Sequence, residues 1–390
     1  MSESEVTRKG LRGVRPGREA TPGTDIMPGT ETGRHRRGRA GRRDRTGRRA
    51  EQPMVPPAEF ASYYGRPVLN APVWGSPDIP GYLFLGGLAG GSSLLAAGAQ
   101  LTGRPALARA SKTAAAGAVF LSLAGLVHDL GRPARFVNML RVFKVTSPMS
   151  VGSWILSGYV PAAGAAAACA LTGRLPRADA VATAGAAVLA PGLASYTAAL
   201  ITDTAVPAWH DGHREMPFVF AGSAAMAAGG FGLLAAPPGE SQPARNLAVF
   251  GVATEAAAFE RMTRRMGMTA GPYRSGRAGA YIRAGQVLSV LGVAGAVLGR
   301  TGGRRGRAIS ALSGASLLAA SAATRWGIFH AGLASAADPR YTVVPQRERR
   351  EARQRELAGA PDQEQAGAGG QGQSGTHGQE RAGPRGQATA

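Results

Sequence analysis

The sequence predicts an all-α fold, a polytopic membrane bundle of about eight transmembrane helices with disordered N- and C-terminal tails. Three observations carry that expectation. Uncharged runs long enough to cross a hydrocarbon core of about 30 Å recur through the middle of the chain. These runs are apolar on every side rather than along one stripe, which favours lipid over water as their solvent. Short breaks of Arg, Pro and Gly separate them. The mean hydropathy of −0.08 hides the pattern, because it averages polar tails with an apolar centre. Of 45 Lys and Arg residues, 14 fall in residues 1–50 and 8 after residue 330.

Residues 1–55, rich in Gly, Arg, Thr and Pro, bury too little apolar surface to offset the entropy of ordering, so they are expected to be disordered. The basic stretch Arg34 to Arg49 could hold nucleic acid or anionic lipid by charge alone. A solvated tail beside a membrane is the favoured reading, with no specific nucleic acid as partner. Residues 345–390, rich in Gln, Gly, Glu and Ala, form the second expected tail.

Within the central domain, residues 64–335, the runs Ile79–Leu101, Val151–Gly173 and Ala180–Thr202 each give about 23 residues without a formal charge, enough to span at 1.5 Å per residue. Pro217–Pro237 is a fourth. Lys112–Val127, Asn246–Phe259, Ala278–Gly299 and Ala308–Ala323 are shorter or carry an ionisable residue such as Glu255 or Arg283. Small residues such as Gly86, Gly87, Gly90 and Gly91 let helices approach closely. Pro161 and Pro191 could interrupt their helices. The Arg-rich start does not read as a secretory signal, so a multi-pass location in the plasma membrane is expected.

An even number of helices puts both termini on one face, with the loops after helices two, four and six. Nearly all the chemistry-bearing residues land there: Trp74 and Asp78 before helix one; His128, Asp129, Arg132, Arg135 and Asn138 after helix two; Asp203, His210 and His213 after helix four. Ionisable groups at one hydrocarbon boundary are unfavourable unless paired or solvated, and together they fit a polar-headed, lipid-soluble substrate. A quinone has ring carbonyls that accept hydrogen bonds, and its reduction takes up two protons that Asp, His and Tyr can supply. The plainer role for Asp129 is an ion pair with Arg132 or Arg135 that ties a loop down. His128 alone reads first as a structural hydrogen bond. His210 and His213 have a spacing open to a metal, but two loop histidines with one nearby acid are a weak ligand set. Paired axial histidines for haem are not evident, and the single Cys169 holds no iron–sulfur cluster. Trp74, Tyr82, Phe84, Trp154, Trp209 and Trp326 lie near run ends, as in an interfacial belt. Tyr196 lies inside the fourth run, where its hydroxyl needs a partner within the bundle.

The chain resembles the polysulfide reductase NrfD-like family of membrane subunits. The likeness is carried by Asp78-Ile-Pro-Gly-Tyr-Leu-Phe-Leu-Gly-Gly-Leu-Ala-Gly-Gly, by His128-Asp-Leu-Gly-Arg-Pro-Ala-Arg-Phe-Val-Asn-Met-Leu and by Thr146-Ser-Pro-Met-Ser-Val-Gly-Ser-Trp154. Ser195-Tyr-Thr-Ala and Ala205-Val-Pro-Ala-Trp209 continue it. Beyond helix five it rests on hydropathy and spacing. The resemblance implies an eight-helix subunit that exchanges electrons between menaquinone or ubiquinone and an iron–sulfur ferredoxin-like partner, which in turn contacts a molybdopterin catalytic subunit. It places Tyr196 and Asp78 at the quinone. Tyr82, His128 and Asp129 complete the candidate quinone-binding set, and Arg132, Arg135, Asn138 and Trp209 are candidates for structural or partner-docking roles. A secondary transporter and a passive anchor without a quinone site are the competing expectations; the transporter would need helices broken at mid-membrane and charges bound there.

Overall fold

The computed structural model describes residues 5–7, 10–12, 68–70, 72–130, 138–299 and 303–359. Among the described residues, eight long helices make the bundle: α1 Asp78–Leu101, α2 Pro105–Asp129, α3 Pro148–Thr172, α4 Pro176–Thr202, α5 Met216–Ala235, α6 Gln242–Met266, α7 Gly276–Leu298 and α8 Gly303–Ala337. Proline in the first turn opens α2, α3, α4, α5 and α6, where its missing N–H is no loss. The Ser147 hydroxyl also accepts from Ser150 N at the start of α3, and left-handed Gly173 ends it. The α2 start is capped from afar: the Glu240 carboxylate accepts from Leu107 N at 2.9 Å. Pro161 and Pro191 both sit inside continuous helices, so the expected interruptions do not occur.

Six of the eight helices, α1 to α5 and α7, are long and apolar enough to cross a membrane. The other two are long enough but carry charge. In α6 these charges are Arg245, Glu255 and a cluster from Glu260 to Arg265; in α8 they are three arginines in the first turns and Arg325. The helices outrun the uncharged stretches of the sequence because their charges find partners. Lys112 of α2, almost fully buried, lies 2.6 Å from the Asp179 carboxylate of α4. Arg325 of α8, 0% exposed, donates to Phe220 O at 2.8 Å and lays its guanidinium 3.6 Å over the Phe220 ring. Glu255 accepts from the Thr324 hydroxyl at 2.8 Å.

Helix α1 packs against α2, α4, α5 and α8; α5 pairs with α6, α3 with α4, and α7 with α8. The contacts are close because glycine and alanine face each other. A Cβ added to Gly90 would stand 2.9 Å from Ala190 O of α4, and one on Gly222 would stand 2.5 Å from Glu255 N of α6. A Cβ on Gly91 would collide with Ala224 O of α5.

The ends of the chain depart from the expected tails. In the first, Glu5–Thr7 pairs antiparallel with Gly10–Arg12, with Val6 opposite Leu11, in keeping with the extended preference of Val and Thr. The rest of residues 1–55 lies outside the described residues. At the other end, α9 Arg340–Gly359 is helical through residues expected to be a tail, because Glu, Arg, Gln, Leu and Ala are good helix formers. Residues 360–390 lie outside the described residues.

Two glycines of equal sequence character separate close approach from mere composition. We expect Gly91→Ala to lower stability by about 1–3 kcal/mol, since the α1–α5 backbones must part. We expect Gly117→Ala, where nothing lies within 4 Å of the new methyl group, to be neutral or to stabilise by about 0.4–1 kcal/mol. Thermal unfolding of the two variants in detergent checks both.

Candidate functional site

Between the first halves of α1 and α3 and the last turns of α2 and α4 lies a pocket of about 670 Å³, part of it open to the outside. Its walls follow helical spacing: Ile79, Tyr82 and Leu83 on α1; Leu126, Asp129 and Leu130 at the end of α2; Met149, Ser153 and Leu156 on α3; Tyr196, Leu200 and Ile201 on α4. Trp74 and Met139, from the segments flanking the bundle, complete it. A mostly apolar lining with a few convergent polar groups is the character of a small-molecule site.

Tyr196 is the most constrained member. Its ring lies against Gly152 of α3, and a Cβ at that position would overlap the ring. Its hydroxyl is buried and meets no hydrogen-bond partner among the described residues. Leaving a buried hydroxyl unmatched is unfavourable by about 1–3 kcal/mol. Asp129 is fixed by accepting from Gly75 N at 3.1 Å through Oδ1. Tyr82 is 3% exposed and shares the α1 wall with Ile79; its backbone carbonyl accepts from the Ser122 hydroxyl of α2 at 3.1 Å.

Asp78 and His128 meet each other at the rim rather than inside. His128 Nδ1 lies 2.7 Å from Asp78 Oδ2, with the side chains 80% and 28% exposed. The pair joins the first turn of α1 to the last turn of α2, each residue next to a wall residue, Ile79 or Asp129. Asp78, in the first turn of α1, also complements the positive end of that helix's dipole.

The remaining expectations sort differently. Asn138 is exposed. Arg132 and Arg135 lie outside the described residues, and so does any ion pair they make with Asp129. Trp209 departs from the interfacial belt and sits where the structural of its two candidate roles would put it: it is 0% exposed, donates from Nε1 to Ile328 O at 2.8 Å, and stacks on Trp74 with ring centroids 5.6 Å apart. The large ring is sealed by α8, where Gly332 leaves room for it. Tyr82 likewise points inward, whereas Trp154 is exposed as a belt residue would be. His210 and His213 each place Nδ1 on a backbone carbonyl, and no group of three or more candidate metal ligands occurs among the described residues.

The loop that carries Trp209 is clamped at its far end. Arg265 of α6 donates to both oxygens of Glu215, at 2.9 and 2.7 Å, and to Asp211 O. This guanidinium holds the Glu215 carboxyl below the usual carboxylate range, against the opposing effect of burial. A carboxyl depressed in the folded state stabilises the protein above its unfolded pKa, and that stability is lost as pH falls through the lower folded value.

The residues sequence reasoning missed are the apolar wall and Gly152. Met149, Ser153 and Leu156 repeat at intervals of four and three, the signal that would have put them on one face of α3.

No curated protein matches the chain. Residues 67–237 match the family model described as polysulphide reductase, NrfD. The match ends just past α5, so it takes in every element that lines the pocket and leaves out α6 to α8.

Two measurements follow from this geometry. Gly152→Ala should push the Tyr196 ring out of its seat and weaken any occupant of the pocket more than tenfold, read by ligand titration, while Gly164→Ala, two residues past Ala162 on the same helix, leaves it unchanged. Thermal unfolding of the wild type from pH 7 to pH 3 should show a loss of stability below the usual carboxylate range, and Glu215→Gln should remove that component while already being less stable at pH 7.

The chain is a multi-pass membrane protein whose residues 67–237, the five helices from α1 to α5, match the polysulphide reductase NrfD family.

Proposed function

We propose that the pocket binds a quinone, menaquinone or ubiquinone, and that the chain is the quinone-reactive membrane subunit of a respiratory oxidoreductase complex. Its electrons pass to or from an iron–sulfur ferredoxin-like subunit that serves a molybdopterin catalytic subunit. The observation that carries this reading is the Tyr196 hydroxyl, buried, unpartnered and set in an apolar pocket. A ring carbonyl supplies the acceptor that the protein withholds.

The chemistry asks little more of the chain. Reduction of a quinone to the quinol takes two electrons from the partner and two protons from the protein or solvent. Tyr196 donates a hydrogen bond to one carbonyl oxygen and so fixes the ring. Asp129, held by Gly75 N, supplies a carboxylate within the same walls that can carry a proton. The exposed His128, one residue before that carboxylate in the chain and paired with Asp78, can exchange a proton with solvent at the rim. Met149, Leu156 and Leu200 exclude water and offer apolar surface to the prenyl tail. Lone Cys169 cannot ligate a cluster, so the electron carrier belongs to the partner.

Titration of the purified chain with a short-tailed menaquinone, followed by quenching of tryptophan fluorescence, tests this directly, because Trp74 lines the pocket. We expect saturable binding, weakened about five- to tenfold in Tyr196→Phe, the worth of one hydrogen bond of about 1 kcal/mol. Asp129→Asn should bind normally yet slow quinol turnover in the assembled complex. A passive anchor would show no saturation and would tolerate both changes.

A further inference from the structure

At the opposite end of the bundle from the proposed quinone site, the α1–α2 and α3–α4 turns enclose a second pocket, of about 690 Å³, part of it open to the outside. Arg104, Arg109 and Arg174 line it. Arg104 makes one weak hydrogen bond, at 3.4 Å to Thr102 O, and among the described residues none of the three pairs with a carboxylate. Two acids at this end of the bundle are already engaged. Asp179 is held at 2.6 Å by Lys112, and Glu240 accepts from Leu107 N. Among the described residues, the pocket therefore carries three uncompensated guanidinium groups around an internally neutralised floor.

Two further features describe the occupant. The Gln100 amide, also in the wall, has a buried Oε1 with no hydrogen-bond partner among the described residues, an acceptor that fits a hydroxyl and not a phosphate oxygen. Leu101, Leu171 and Leu175, at the same level of the bundle, are largely exposed and offer apolar surface beside the charged mouth. Gly103 and Gly173 turn the chain in left-handed conformations with nothing within 4 Å of either missing side chain, so the mouth stays clear.

We propose that this pocket is a specific site for an anionic phospholipid whose headgroup carries both a phosphate and a free hydroxyl, as in phosphatidylglycerol. The three arginines bind the phosphate, Gln100 accepts from the headgroup hydroxyl, and the acyl chains run along the exposed leucines. Arginine suits the task because its planar fork matches phosphate oxygens two at a time. Basic pockets between helices at a membrane boundary recognise lipid headgroups by the same physics.

Native mass spectrometry of the full chain, purified in detergent and titrated with defined lipids, tests the site. We expect phosphatidylglycerol to be retained in preference to phosphatidylcholine, and the combined Arg104→Gln, Arg109→Gln and Arg174→Gln variant to bind it on the order of a hundredfold more weakly. Gln100→Leu should weaken phosphatidylglycerol while leaving phosphatidic acid, which lacks the headgroup hydroxyl, unchanged. Lys144→Gln, on the opposite face, serves as the control for non-specific charge and should bind as the wild type does. Unfolding temperatures in phosphatidylcholine micelles show that each variant is folded. Equal retention of phosphatidylcholine, unchanged binding by the folded triple variant, or displacement of the lipid by millimolar inorganic phosphate would overturn the proposal, the last by showing a site for the free anion.

Discussion

The structure depends on how closely α1 can approach its neighbours. In lipid there is no hydrophobic gain from bringing two apolar helices together, so association rests on van der Waals contact and on interhelical hydrogen bonds. Glycine supplies the first here, because Gly90 and Gly91 let the α1 backbone lie against Ala190 of α4 and Ala224 of α5. With α1 held on both sides, Ile79, Tyr82 and Leu83 are carried to fixed positions at its start. The same device seats Tyr196, since Gly152 leaves the space that its ring fills. Site geometry and bundle geometry are thus one consequence of small residues at a few positions.

Charge inside the bundle obeys a second constraint. An ionisable group removed from water must be paired or hydrogen-bonded. Lys112 does this with Asp179, and Arg325 does it by stacking on Phe220 and reaching a backbone carbonyl. The accommodation explains why α6 and α8 belong to the bundle although their composition alone would not carry them across a membrane. It also leaves the two ends chemically distinct. One has acids, histidine and tyrosine around an apolar pocket, and the other has arginines around an open one.

Much of this was legible in the sequence. The spans Ile79–Leu101, Val151–Gly173 and Ala180–Thr202 fall within a few residues of α1, α3 and α4, because uncharged length is what the bilayer selects. The flagged residues Tyr82, Asp129 and Tyr196 share one pocket, and Asp78 meets His128 beside it. What could not be read were facts of three-dimensional approach. That Trp209 is buried under α8 depends on Gly332, more than a hundred residues away. That α2 begins before Lys112 depends on Asp179. The apolar wall of the site carries no chemical signature, so only helical register could have placed it.

The central claim is that Tyr196, Tyr82 and the α3 wall surround a lipid-soluble electron carrier. Photo-crosslinking of the purified chain with an azido-quinone, followed by peptide mapping, measures this most directly. The account predicts label on peptides from Pro148–Thr172 and Pro176–Thr202, lost when excess unlabelled quinone competes. Label confined to the exposed surface of α7, or label that competitor does not displace, would contradict it.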